Sequence, residues 1–206
     1  MRHRIHCVEP PARERLRHTI ARLRMLGFLL FVSLLLMACN NDANQRAKRI
    51  LALQLRAADL PQGWQRTRGA IGDWDQEREG IISRSIGFLG APEEQEVGAL
   101  VTQELIDYPS TTQAGDAYQE IVADVIPNEG WTWPEQVSFQ SQADQINLAC
   151  RRASPENSRC RSVAQYGHYI SIIRANVFTD QWFTMEDLGR LLASIDARMA
   201  AARDEP

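Results

Sequence analysis

From Met25 to Ala38 the chain is apolar except at Gly27 and Ser33, and it turns polar immediately after Cys39. A helix over this run would be about 21 Å long at 1.5 Å per residue. A bilayer core is about 30 Å thick and takes about 20 apolar residues to cross. The run is therefore short for a spanning helix. It has the length of the hydrophobic part of a secretory signal, with Arg22 and Arg24 as the positive flank. That assignment removes residues 1–38 from the fold and leaves the chain from Cys39 onward to build it. The segment before Met25 is long for the charged region of a signal. A later translation start and an extended charged region both account for it.

Leu36-Met37-Ala38-Cys39 resembles the lipobox of bacterial lipoproteins. Leu36 matches the usual leucine, Ala38 the required small residue and Cys39 the cysteine, while Met37 is a less usual filler. In that family the cysteine sulfur receives a diacylglyceryl group. A dedicated signal peptidase then cuts before the cysteine, and the new amino terminus can also be acylated, typically with palmitate. The resemblance implies a mature protein that begins at Cys39 and is lipid-anchored at the extracytoplasmic face of the cell membrane. One acyl chain holds only marginally, at about 0.8 kcal/mol per buried CH₂, and two or three make the attachment stable. The competing reading is an uncleaved anchor in which Cys39 is incidental.

Charge limits the partners. Removing the arginines and glutamates of residues 1–38 from totals of 23 basic and 26 acidic residues leaves a mature chain of net charge −8. Phosphate backbones need clustered Lys and Arg, so nucleic acid is not expected as a partner. The expected partners are the membrane, through the anchor, and either an envelope protein or a small ligand.

Two further cysteines, Cys150 and Cys160, would lie in an oxidising compartment after export. Pro155 and Asn157 between them are turn formers, so a structural disulfide across a loop is expected. The mature chain has a single histidine, His168. A metal site would need more ligands and a redox pair would more often be Cys-x-x-Cys. Neither a metal nor a cofactor is expected.

The rest of the chain reads as one domain. Residues 39–49 are polar and suit a tether. Residues 50–203 are expected to form a single α+β domain, an antiparallel sheet with two or three helices packed on it and one disulfide. Helical spacing predicts helices over 50–58, 111–126 and 184–203. Ala114, Tyr118, Ile121, Val122 and Val125 make the stripe of the second, and Leu188, Leu191, Leu192, Ile195 and Met199 that of the third. Ser110 or Thr111 can cap the second helix, and Thr184 with Asp187 resembles a capping box at the third. Strands are expected over 81–89, 96–108, 136–140, 145–152 and 161–178, the last broken near Gly167. In it Tyr169, Ser171, Ile173 and Ala175 share one face, and Ile170, Ile172, Arg174 and Asn176 the other. The charged stretch 73–79 lacks EF-hand spacing and reads as a solvated loop.

Asp59-Leu60-Pro61-Gln62-Gly63-Trp64 resembles a segment of exported bacterial lipoproteins and sensor-type domains. The order of elements over residues 55–200 is similar to the extracellular sensor domain of mycobacterial PknH-type kinases and to PsbP-like lipoproteins. That resemblance implies a small exported α+β domain and carries over no catalytic residue.

Function is less constrained. There is no Gly-x-Ser-x-Gly elbow, no phosphate-cradling glycine loop, and no nucleophile motif beside His168, so catalysis is not expected. Trp64, Trp131 and Trp133 lie near turns. Packing into the core and lining a ligand cleft are the two readings open to them. The expected function is a non-catalytic ligand-binding or sensing module of the envelope; the alternative is a lipoprotein that docks on another envelope protein.

Overall fold

The computed structural model describes residues 45–67, 82–90, 99–127, 129–179 and 182–203. The chain divides into two units, residues 1–46 and 47–206, and the sheet lies within the second. Cys39 and the charged stretch 73–79 lie outside the described residues.

The fold is α+β. Six strands form one antiparallel sheet: β1 (Gln65–Arg66), β2 (Ile82–Gly90), β3 (Ala99–Asp107), β4 (Gln145–Arg152), β5 (Asn157–Tyr166) and β6 (Tyr169–Phe178). Their spatial order is β1-β2-β3-β6-β5-β4. Two meanders, β1-β2-β3 and β4-β5-β6, are thus joined where β3 pairs with β6, Leu105 opposite Ser171 and Ile106 opposite Ile170. The helix α2 (Thr111–Val125) carries the chain from one meander to the other. Residues 45–53 form α1, a 3₁₀ turn follows at Ala57–Asp59, and α3 (Met185–Arg203) closes the domain.

Side-chain alternation along the strands gives the sheet two apolar faces. One face holds Ile106, Val163, Ile170 and Ile172 and is covered by α2 through Ala114, Tyr118, Ile121 and Val125. The other holds Val101, Leu105, Ile173 and Ala175. It packs against Leu188, Leu191, Ile195 and Met199 of α3 and Ile50 and Leu53 of α1. The sheet therefore lies between helices on both sides. The faces of β6 alternate as its sequence dictates, and both helical stripes point inward.

Local chemistry sets the element ends. Ser110 caps α2, its hydroxyl accepting from the Gln113 amide at 3.2 Å. At α3 the Thr184 amide donates to Asp187 at 2.8 Å and the Asp187 amide donates to the Thr184 hydroxyl at 3.3 Å, closing the capping box. Burial opposes ionisation of Asp187, but hydrogen bonds from Thr184 and the Arg190 guanidinium hold its carboxyl below the usual range. Between β5 and β6, Tyr166 pairs with Tyr169, leaving Gly167-His168 as a two-residue loop. Gly167 has φ 58° at the first loop position, the pattern of a type II′ turn.

Two expectations need correction. Residues 136–140 are not a strand. Pro134 precedes them, and the Val137 amide donates to the Pro134 carbonyl at 3.1 Å, turning the chain. The first helix is shifted: residues 45–53 are helical and the chain then opens before the 3₁₀ turn, so the stretch read as tether is already helical from residue 45. The opening has a cause. The Leu55 amide donates to the buried Gln103 side chain of β3 instead of to a helical carbonyl, and Gln103 donates in turn to the Ser171 hydroxyl at 3.0 Å.

The disulfide Cys150–Cys160 joins directly opposed residues of β4 and β5, with the Cα atoms 4.0 Å apart. In the chain-entropy model so small a ring stabilises by about 2.5–3 kcal/mol. Replacing both cysteines by alanine should lower the free energy of unfolding by about that amount, read as a drop in the denaturant midpoint at unchanged slope. An unchanged midpoint would show that β4 and β5 are held by packing alone.

Candidate functional site: the basic face of the β4–β5 hairpin

The hairpin from Cys150 to Arg161 carries four arginines against one glutamate, although the chain from residue 39 onward is acidic, with 16 basic and 24 acidic residues. Arg151 stands directly opposite Arg159, and Arg161 directly opposite Arg174. All four lie on the α2 face of the sheet, because they share parity with Val163 and Ile172 of that face. Arg152, one residue out of step, falls on the other face and donates to the Pro155 carbonyl at 3.1 Å. Like charges directly opposite in a sheet are destabilising. Here two such pairs sit side by side.

Part of the charge is compensated. Arg174 lies 3.6 Å from Glu104 of β3, and both side chains are almost fully buried. Arg161 donates to the Val125 carbonyl, at the C-terminal end of α2, where the helix dipole is negative. The Trp131 ring lies over two guanidinium groups, 4.7 Å from Arg161 and 5.7 Å from Arg151. Burial lowers the Arg161 pKa first, and repulsion from Arg174, Arg151 and Arg159 lowers it further, against the attraction of Asp124. A guanidinium stays charged under such pressure. Arg151 and Arg159 are solvent-exposed and neither has an acidic partner among the described residues.

The backbone explains how Trp131 gets there. Gly130, at φ 72°, reverses the chain after α2 in a conformation that disfavours a side chain. Thr132 then exchanges both backbone hydrogen bonds with Cys150, at 3.0 and 2.8 Å, on the outer edge of β4. This short bridge covers the edge strand β4 near its C-terminal end and places Trp131 against the arginines. The indole Nε1 of Trp131 is buried and has no hydrogen-bond partner among the described residues.

The expected site residues separate. Trp131 belongs to the basic face. Trp133, two residues on, is 51% exposed. Trp64 is in the core on the opposite side of the sheet, its ring 5.3 Å from Phe183. Trp64 and Trp131 thus do not converge on one cleft. His168 sits in the β5–β6 loop, its ring tilted against that of Tyr169 with centroids 4.0 Å apart, and 3.6 Å from the buried Asp107. Among the described residues no group of His, Cys, Asp and Glu could hold a metal ion, and no helix is long and apolar enough to cross a membrane.

Sequence reasoning missed the arginines, although the signal was present. Pairing Cys150 with Cys160 forces Arg151 opposite Arg159, and a two-residue loop at Gly167-His168 forces Arg161 opposite Arg174.

No protein-family model matches this chain, and no curated protein or solved structure is significantly similar to it.

Trp64 gives a test of its structural role. Gly90 of β2 lies beneath its ring, so that a Cβ there would fall 2.1 Å from the indole. Gly90→Ala should therefore destabilise the domain by about 1–3 kcal/mol through overpacking, with a shift of the tryptophan emission. It should leave any property of the basic face unchanged in the folded protein. A neutral effect on thermal unfolding would mean that Trp64 is free to move aside.

Proposed function

We propose that this chain is a non-catalytic lipoprotein, anchored through Cys39 at the extracytoplasmic face of the membrane, whose domain binds an anionic ligand on the basic face of the β4–β5 hairpin. The observation that carries the binding reading is the pair of opposed arginine couples, with Arg151 and Arg159 left without acidic partners among the described residues. A fold selected for stability alone would not place like charges opposite one another twice. Guanidinium groups recognise carboxylate and phosphate through paired, charge-assisted hydrogen bonds. The disulfide and the Thr132–Cys150 bridge hold the face rigid, which lowers the entropic cost of binding. The exposed Trp133, two residues after Trp131 in the chain, offers a surface on which a sugar ring can stack.

The anchor is supported by the sequence Leu36-Met37-Ala38-Cys39. Cys39→Ser should abolish both processing and membrane association, read by intact mass and fractionation. Cleavage at the same place with retention in the membrane would refute the anchor.

Binding is tested separately with polygalacturonate as a carboxylate probe and inorganic polyphosphate as a phosphate probe. Either should bind at low ionic strength and weaken with salt. Arg159→Ser should cost roughly ten- to a hundredfold in affinity, the loss of a charged hydrogen bond worth about 1.5–3 kcal/mol. The variant should fold normally, because Arg159 supports no other described group. Absence of binding to both probes, or binding indifferent to Arg159→Ser, would remove the basic face as the site.

A further inference from the structure

A second basic surface lies on the other side of the sheet. Between Asp42 and Asp59 the chain carries Arg46, Lys48, Arg49 and Arg56 and no acid. Ile50 and Leu53 of α1 enter the core, while Lys48, Arg49, Leu51 and Ala52 are exposed. At helical spacing these four form one continuous arc. Leu51 is 58% exposed, the highest value among the exposed large apolar residues described. The apolar side of α1 is used by the core, so the exposed arc offers a lipid surface its positive charge and a single leucine.

Beside this face, a groove of about 250 Å³ runs between α1 and the end of α3, lined by Arg49, Ala52, Arg56, Arg198, Ala201 and Ala202 among others. Three guanidinium groups thus meet a wall made by Leu53, Tyr169 and three alanines. Among the described residues the Asp59 carboxylate accepts from Arg198 at 2.7 Å, and the Arg56 guanidinium donates to the Ala52 carbonyl. The Nε of Arg198 is buried and has no hydrogen-bond partner among the described residues. A buried, unpaired guanidinium N–H is an unfilled position for an oxyanion.

We propose that this groove receives the phosphate of an anionic phospholipid and that the outer arc of α1 rests on the bilayer. The proposal draws on the lipid-anchor reading for proximity. The residues between Cys39 and α1 span at most about 20 Å even when fully extended, so a lipidated Cys39 keeps α1 at the membrane surface. Charge complementarity then selects the occupant: α1 is basic, the remainder of the domain is acidic, and anionic headgroups attract each basic residue near the surface.

The test uses the full chain with Leu51→Cys carrying an environment-sensitive fluorophore, reconstituted in vesicles of phosphatidylglycerol or of phosphatidylcholine. In phosphatidylglycerol the label should be quenched by lipid-borne nitroxide and shielded from a neutral aqueous quencher; in phosphatidylcholine it should be open to water. Lys48→Gln together with Arg56→Gln should lower the shielded-to-open ratio about thirtyfold, roughly fivefold for each charge. Equal exposure in the two lipids would overturn the proposal. So would shielding without vesicles, which would assign the face to a second copy of the chain. A response to inorganic phosphate alone would assign the groove to a free anion and overturn the lipid assignment. Intact mass of the same sample separates the two readings. An acylated chain with an open label refutes the lipid-facing helix and leaves the anchor standing. An unacylated chain still shielded by phosphatidylglycerol refutes the anchor and supports the helix.

Discussion

The pairing of β3 with β6 is the contact on which the rest of the domain depends. Each meander can form locally, but neither has a complete core. Only when β3 meets β6 do Ile106, Ile170 and Ile172 make a floor for α2, and Val101, Leu105, Ile173 and Ala175 a floor for α3. The pairing joins segments far apart in sequence, so its loop-closure entropy must be met by burial on both faces at once. Polar residues reinforce the seam. Gln103 of β3 donates to Ser171 of β6 and accepts from the Leu55 amide, which ties the chain after α1 to the sheet centre. Glu104 and Arg174 do the same on the other face.

Antiparallel pairing also fixes the chemistry of the surface. Side-chain parity is rigid in a strand, and a slip of one residue would move Arg159 and Arg161 to the other face. Two local devices prevent the slip: the cross-strand disulfide between β4 and β5, and the glycine turn between β5 and β6. With both in place the arginines of three strands are brought together against their own repulsion. Trp131 and the C-terminal carbonyl of α2 lower the local cost without neutralising the cluster.

Much of this was legible in the sequence, for reasons that differ by element. The stripes of α2 and α3 and the two faces of β6 could be read because one period dominates each segment. The cap at Ser110 and the box at Thr184 and Asp187 could be read because capping is a contact within a single turn. What escaped depended on partners remote in the chain. Asp196 interrupts the apolar stripe of α3, yet it is buried, because its carboxylate accepts from Tyr166 at 2.8 Å, from Ser141 at 2.6 Å and from the Gln142 amide. That same anchor holds the segment after residue 139 in an irregular path, next to the stretch whose composition suggested a strand. Trp64 and Trp131 looked equivalent as turn tryptophans. The sheet puts them on opposite faces, one against Phe183 and Gly90, the other against two arginines.

The same separation makes the two basic surfaces electrostatically independent. The arc of α1 belongs to the α3 side of the sheet, and Arg151, Arg159 and Arg161 belong to the α2 side. Packed layers stand about 10 Å apart, so at least one full layer lies between the two groups of charges. At physiological salt the Debye length is about 8 Å. An anionic surface under α1 would therefore act strongly on Lys48 and Arg56 and only weakly on Arg159. Seating of the domain on lipid through α1, as proposed, would leave the hairpin arginines on the far side of the sheet, where a soluble or polymeric anion could reach them.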